Sequence, residues 1–296
     1  MNNNTFFDVI DTEEKAYWLG FFYADGCLYS NGKTASILLS STDDVHLIKF
    51  ADIFGLSIRR ETTYHKRVDK FYNSVRCMLY SKHLCDSLLA KGVTHRKTST
   101  ATGEILKCVP DSLIHHFIRG YFDGDGHIGK VSHVGKIDAT EHRFVLCGTR
   151  SFLLAVSNLM ASKLGLRVPE PFCNTGVYRL QWGGAWQLNR VREWLYKDAS
   201  VYLERKKERF DSVPKQRGTS QYQGVSWLNR SSRWISRIYA NGKLNYIGTY
   251  INEVDAAKSY DDAAKAYYGD NACLNFPVGF DVASPEIMSS FIKGDF

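Results

Sequence analysis

The chain of 296 residues is 44% hydrophobic and 23% charged, proportions that fit a soluble globular protein of two or three domains and exclude a disordered or fibrous one. A formal charge of +7 and a pI near 8.9 favour a polyanionic partner, and aromatic residues at 14% suit nucleic-acid surfaces and large cores alike. The seven cysteines (27, 77, 85, 108, 147, 173 and 273) are odd in number and include no C-x-x-C, which argues against a disulfide framework or a zinc site and for buried thiols in a reducing compartment. No apolar stretch reaches membrane-spanning length and Met1-Asn2-Asn3-Asn4 is no signal peptide, so the expectation is an intracellular, cytoplasmic protein with no membrane partner.

Asp11, followed three residues later by Glu14, has the form of a capping box and opens the first helix. That helix runs into Ala16 to Gly26, A-Y-W-L-G-F-F-Y-A-D-G. A second helix, opened by Pro110-Asp111-Ser112, runs into Phe117 to Gly126, F-I-R-G-Y-F-D-G-D-G. Helical spacing puts Gly20 and Ala24 on one face, and Gly120 and Gly124 on the corresponding one. Faces of glycine and alanine let two helix backbones approach closely. If the helices pack by these faces, Asp25 and Asp125, 100 residues apart in the chain, arrive side by side at helix C-termini. Gly26 and Gly126 stand where a helix C-cap wants positive φ. Two carboxylates there face the negative end of both macrodipoles, a conflict that a divalent cation removes. A calcium loop is excluded, because Val134 stands where an EF-hand beginning at Asp123 needs its glutamate.

After each such helix the chain repeats itself. Strands are expected at Ser36 to Ser41 and Arg143 to Cys147, then helices at Asp43 to Phe54 and Ser151 to Leu164. Further strands follow at Phe71 to Tyr80 and Tyr178 to Trp182, then helices at Lys82 to Lys91 and Ala185 to Tyr196. Arg96-Lys97 and Arg205-Lys206 follow the last helix of each half. The fold class is α+β and duplicated, with halves at residues 6–108 and 109–212 related by pseudo-two-fold symmetry. A polar linker near Val213 to Ser220 leads to a third domain at 220–278. From Ser212 to Asn252 there is no acid but there are six basic residues: Lys215, Arg217, Arg230, Arg233, Arg237 and Lys243. Strands are expected at Gly224 to Leu228, Trp234 to Ala240 and Leu244 to Tyr250, the last two joined by Asn241-Gly242. An Ala-rich helix from Glu253 to Tyr268 backs the sheet with Ala256, Ala257, Ala263, Ala264 and Ala266, its acids towards solvent.

Trp18 to Gly26 and Ile118 to Gly126 resemble the LAGLIDADG homing endonuclease motif, with Tyr23 departing from the acid that Asp123 supplies in the second copy. The resemblance implies an αββαββα fold in each half and sheets that straddle duplex DNA. It also implies metal-dependent hydrolysis of both strands, with Asp25 and Asp125 as ligands and the carbonyls of Ala24 and Gly124 completing the coordination of Mg²⁺ or another divalent cation such as Mn²⁺. It further places Lys97 and Lys206 near the scissile phosphates. The third domain resembles the AP2 DNA-binding domain through Tyr222-Gln223-Gly224-Val225, Ile247-Gly248-Thr249-Tyr250 and Leu274-Asn275-Phe276-Pro277. That resemblance implies a sheet in the major groove, with Arg230, Arg233, Trp234, Arg237, Lys243 and Tyr246 as the DNA-contacting residues. Gln223, Ser226 and Leu228 stand where plant members carry arginine. The expectation is a monomeric, site-specific double-strand DNA endonuclease; an RNA maturase and a non-catalytic DNA-binding regulator remain open on the same scaffold.

Overall fold

The computed structural model describes residues 3–95, 97–132, 140–214 and 220–277. Helix α1 (Glu13–Asp25) begins at Thr12, whose Oγ1 accepts from Lys15 N at 3.3 Å. The capping residue is therefore Thr12 and not Asp11, whose carboxylate instead pairs with Lys15 Nζ at 2.7 Å. Residues Ala16 to Ala24 are all buried, as expected of a helix apolar all round. At its end α1 does not turn left-handed. Gly26 has φ −68 and the chain passes directly into strand β1 (Gly26–Leu28); Gly126 has φ −103 and likewise opens a strand. Glycine is needed here for space, since a Cβ at Gly26 would lie 2.3 Å from the Phe22 ring and one at Gly126 at 2.3 Å from that of Phe122.

The first half continues through β2 (Thr34–Ser40), α2 (Asp44–Ile53), β3 (Arg59–His65), β4 (Lys70–Tyr80) and α3 (Lys82–Ala90), and a short helix α4 (Lys97–Thr100) follows. The second half runs α5 (Ile114–Asp125), β5 (Gly126–Ser132), β6 (Thr140–Gly148), α6 (Arg150–Leu164), β7 (Phe172–Asn174), β8 (Val177–Gly183) and α7 (Ala185–Tyr196), and α8 (Glu204–Asp211) closes it. Each half is thus αββαββα, and each builds a four-stranded antiparallel sheet in the same order, β1-β2-β4-β3 and β5-β6-β8-β7. Alternation in β4 buries Val75, Cys77 and Leu79 and turns Ser74, Arg76 and Met78 to the other face. Side chains from both halves fill the core, among them Trp18, Phe22, Phe117, Phe122, Phe144 and Phe152.

The C-terminal sheet has strands β9 (Val225–Leu228), β10 (Arg233–Ala240) and β11 (Lys243–Tyr250) in the order β11-β10-β9, followed by α9 (Glu253–Tyr268). Asn241 (φ 53) and Gly242 (φ 75) make the tight hairpin that their sequence calls for. Ala256, Ala257 and Ala264 of α9 are buried against the sheet, whereas Ala266 is exposed. Asp261 does not face solvent: its carboxylate accepts from Asn275 N at 2.7 Å and Phe276 N at 2.8 Å, latching the chain end onto the helix. By spatial proximity the chain divides into two units, Met1–Val156 with Pro169–Pro214, and Ser157–Val168 with Lys215–Phe296. The cysteines form no disulfide; Cys77 and Cys85 are buried, Cys147 and Cys273 partly so, and Cys27, Cys108 and Cys173 are exposed. No described helix is long and apolar enough to cross a membrane.

Candidate nuclease centre and nucleic-acid surfaces

The centre is set by the α1–α5 seam. A Cβ on Gly20 would lie 2.0 Å from Phe117 O, and one on Gly120 would lie 2.0 Å from Tyr17 O. The backbones therefore touch, as the small-residue faces require. At the end of the seam a Cβ on Gly124 would lie 2.3 Å from that of Ala24 and 3.2 Å from Asp25 Oδ2. The Asp25 carboxylate thus rests against the residue preceding Asp125, and both acids are half-buried. Both also act on the same two groups: their charges favour the ammonium of Lys206 and oppose ionisation of Tyr121.

Lys206 is 5% exposed, and its Nζ donates to Phe122 O (2.7 Å), Asp123 O (2.6 Å), Gly124 O (3.2 Å) and Gly126 O (2.8 Å). It caps the carbonyl end of α5 with a cation, which satisfies orphan acceptors and opposes the macrodipole. Burial lowers its pKa to about 8, a fall that the charges of Asp123, Asp25 and Asp125 oppose. The neighbouring Arg205 is committed to Asp43, with Nε to Oδ1 at 2.8 Å and Nη2 to Oδ2 at 2.7 Å, so a residue of the first half anchors the first turn of α8. The Lys97 side chain, like Arg96, Lys215 and Arg217, lies outside the described residues.

Positions 23 and 123, which differ in sequence, do the same work. Tyr23 Oη donates to Thr102 O (3.0 Å) and accepts from Thr102 N (2.9 Å), while Asp123 Oδ2 accepts from Leu203 N (2.8 Å). Each staples the segment that follows its own half. Asp123 Oδ2 also accepts from Tyr17 Oη (2.8 Å), and its Oδ1 is buried without a hydrogen-bond partner. Burial raises the Asp123 pKa to about 6 against the pull of Lys206. Because Tyr17 spends its proton on Asp123, the contact of Tyr17 Oη with His46 Nε2 (2.8 Å) needs an Nε2–H donor. His46 Nδ1 is left without a partner, and burial lowers the His46 pKa to about 3.

Sequence reasoning missed this network and a second one. Arg119, fully buried, donates to Glu13 Oε1 (2.7 Å), Leu195 O (2.6 Å), Val201 O (2.9 Å) and His116 Nδ1 (2.8 Å). Glu13 also accepts from Ser200 N, Ser200 Oγ and Val201 N at 2.7 to 3.1 Å. A cation inside the apolar run F-I-R-G-Y is the signal that could have found it, because such a group is buried only with partners.

Asp25 and Asp125 close two helices whose backbones touch, and among the described residues there is no group of three or more His, Cys, Asp or Glu side chains that could hold a metal ion. The Gly124 carbonyl already receives Lys206, by the longest of its four bonds.

In the C-terminal sheet, strand register sorts the expected contact residues by face. Ile238, Ala240 and Ser236 lie buried towards α9, so Arg233, Arg237 and Tyr239 point outward, with Tyr246 opposite Arg237. Arg230 is exposed in the β9–β10 turn. Trp234 falls on the other face, partly buried against the cluster of Tyr222, Val225, Ala256 and Ala257 and 5.0 Å from the Trp227 ring. Trp234 is therefore corrected from DNA contact to core packing. Lys243, opposite Ala240, has helix-side register at the exposed hairpin end.

No family model matches the chain. Over 65 residues it is 43% identical to the ethylene-responsive transcription factor WRI1 of Arabidopsis thaliana, covering 21% of this chain and 15% of that protein. Over 101 residues it is 34% identical to the AP2-like ethylene-responsive transcription factor AIL5 of Arabidopsis thaliana, covering 33% of this chain and 17% of that one. The chain thus spans less than a fifth of the length of these relatives. Among solved structures it is similar to the homing endonuclease I-WcaI bound to its DNA recognition sequence, at 12% identity and TM-score 0.49, over 67% of this chain and 87% of that one. It is also similar to the LAGLIDADG meganuclease I-AabMI bound to uncleaved DNA, at 14% identity and TM-score 0.44, over 67% and 88%.

Proposed function

We propose that this chain is a site-specific double-strand DNA endonuclease that acts as a monomer, hydrolysing one phosphodiester in each strand at the paired ends of α1 and α5. The observation that carries the reading is the backbone contact along Gly20 and Gly120, which brings Asp25 against the residue before Asp125. Asp25 and Asp125 would hold Mg²⁺ or Mn²⁺, with the carbonyls of Ala24 and Gly124 beside them. A bound divalent cation supplies Lewis acidity to the phosphate and acidifies an attacking water. The chain's own groups fix that geometry. Lys206 clamps the α5 terminus through carbonyls on both sides of Asp125, which makes it a positioning residue in the second half, and Lys97 is assigned the phosphate-facing role in the first. The outer face of the first sheet, where Arg59 projects from β3 while Arg76 on β4 is held by the Glu61 carboxylate, would track the duplex. The C-terminal sheet adds affinity through its tether in the same chain, by raising effective concentration.

Asp25→Asn and Asp125→Asn test this. Each variant is expected to bind duplex DNA with unchanged affinity and to lose Mg²⁺-dependent double-strand cutting. Loss of binding together with loss of cutting would assign the acids a structural role and sink the proposal.

A further inference from the structure

The outer face of the C-terminal sheet is basic along its middle and apolar at one end. Between residues 220 and 252 there is no acid, Arg233 and Arg237 stand on this face, and Arg230 and Lys243 lie in the adjoining turn and at the hairpin end. Strand register sets Leu244 opposite Tyr239 and Tyr246 opposite Arg237. All three apolar side chains stand far out of the protein: Leu244 is 60% exposed, Tyr239 64% and Tyr246 62%. Tyr239 Oη donates to Gly242 O at 2.9 Å, so its proton is spent within the hairpin and its ring stands outward. Leu244 and Tyr239 together form a hydrocarbon step next to Arg237.

Neither side chain contributes to the core, and leaving both in water forgoes their burial. The surrounding charge selects a polyanion as what covers them. A two-stranded ribbon fits the DNA major groove, and the hydrocarbon that base edges offer there is the C5 methyl of thymine. Sequence removes the competing readout, because Ser226 and Leu228 supply no cation on the outer face of β9.

We infer that Leu244 and Tyr239 form a contact site for the thymine C5 methyl in duplex DNA, giving the module a thymine preference at the position they cover, with Arg233 and Arg237 holding the flanking phosphates or base edges. The inference rests on the reading of this sheet as a DNA-binding face.

The test uses the full chain and two probes, an alternating dA·dT duplex and the matching dA·dU duplex, which differ only in the methyl group. Fluorescence anisotropy is expected to show about fourfold tighter binding to the dA·dT duplex, the worth of one buried methyl-sized group. Leu244→Ala should abolish that ratio. Leu244→Gln, which keeps the volume at an exposed site, should do the same. Equal binding of both duplexes by the unaltered chain, or a ratio that survives in both variants, overturns the site. Binding to neither duplex would overturn the DNA reading of the chain itself, a separate outcome.

Discussion

At position 46 a histidine is held neutral by its surroundings, and this has a consequence that pH can reveal. His46 and His116 are each 4% exposed, and burial lowers their pKa values to about 3 and about 4, against an ordinary value of 6.5. A folded-state pKa below the unfolded one means that the unfolded chain binds more protons, so stability is full above pH 6.5 and drains as pH falls towards the folded values. Each histidine should then contribute up to about 1.4 kcal/mol per pH unit across that window. Urea unfolding between pH 7 and pH 4.5 is expected to show the loss, and His46→Gln should flatten its slope; an unchanged slope would mean that His46 titrates freely in the folded protein. Which residues matter here was only half legible. Asp25, Asp125 and Lys206 carry chemistry in their types and spacing. Tyr17, His46 and Arg119 do not, because a buried polar side chain is defined by partners that lie far off in sequence, as Tyr17 is from Asp123 and Arg119 from Val201.

Between elements, the α1–α5 seam depends on what is missing from two positions. Gly120→Ala would place a methyl 2.0 Å from Tyr17 O, and backbone cannot step aside as a side chain can. The helices must separate at that point, with a cost of about 3 kcal/mol or more from overpacking. Thermal unfolding should show a clear fall in Tm, and cutting of both strands should weaken together, because one seam serves both acids. Weakening of one strand alone would mean that the acids are positioned independently. Sequence made this seam visible, along with α7 and α9 to the residue. It did not show β1, β3, β5 and β7, all at or beside sheet edges. In β3 almost every side chain is exposed, so no apolar alternation exists to be read. The two Asp-Gly helix ends misled in another way: glycine was there for the Phe22 and Phe122 rings and not for positive φ.

For the whole molecule, the duplicated halves and the added sheet are expected to share the phosphate load. Replacing Arg233 and Arg237 together by Ala should flatten the dependence of log binding constant on log salt by about 1.8, roughly 0.9 for each phosphate no longer neutralised. Titrations at several salt concentrations read this directly, and an unaltered slope would remove the outer sheet from the interface. The repeat itself was legible because each half must build the same layers, yet its departures from symmetry were not, since they depend on contacts made across the two copies. One such departure reaches furthest. Glu13 belongs to the first copy, and the guanidinium that neutralises it, Arg119, belongs to the second. The matching positions hold Leu19 and Leu113, which cannot exchange charge with anything. A like-with-like pair of first copies would leave both Glu13 carboxylates without Arg119, and a pair of second copies both buried guanidinia without Glu13. If the gene were cut between the copies, only the mixed assembly would restore the Glu13–Arg119 pair.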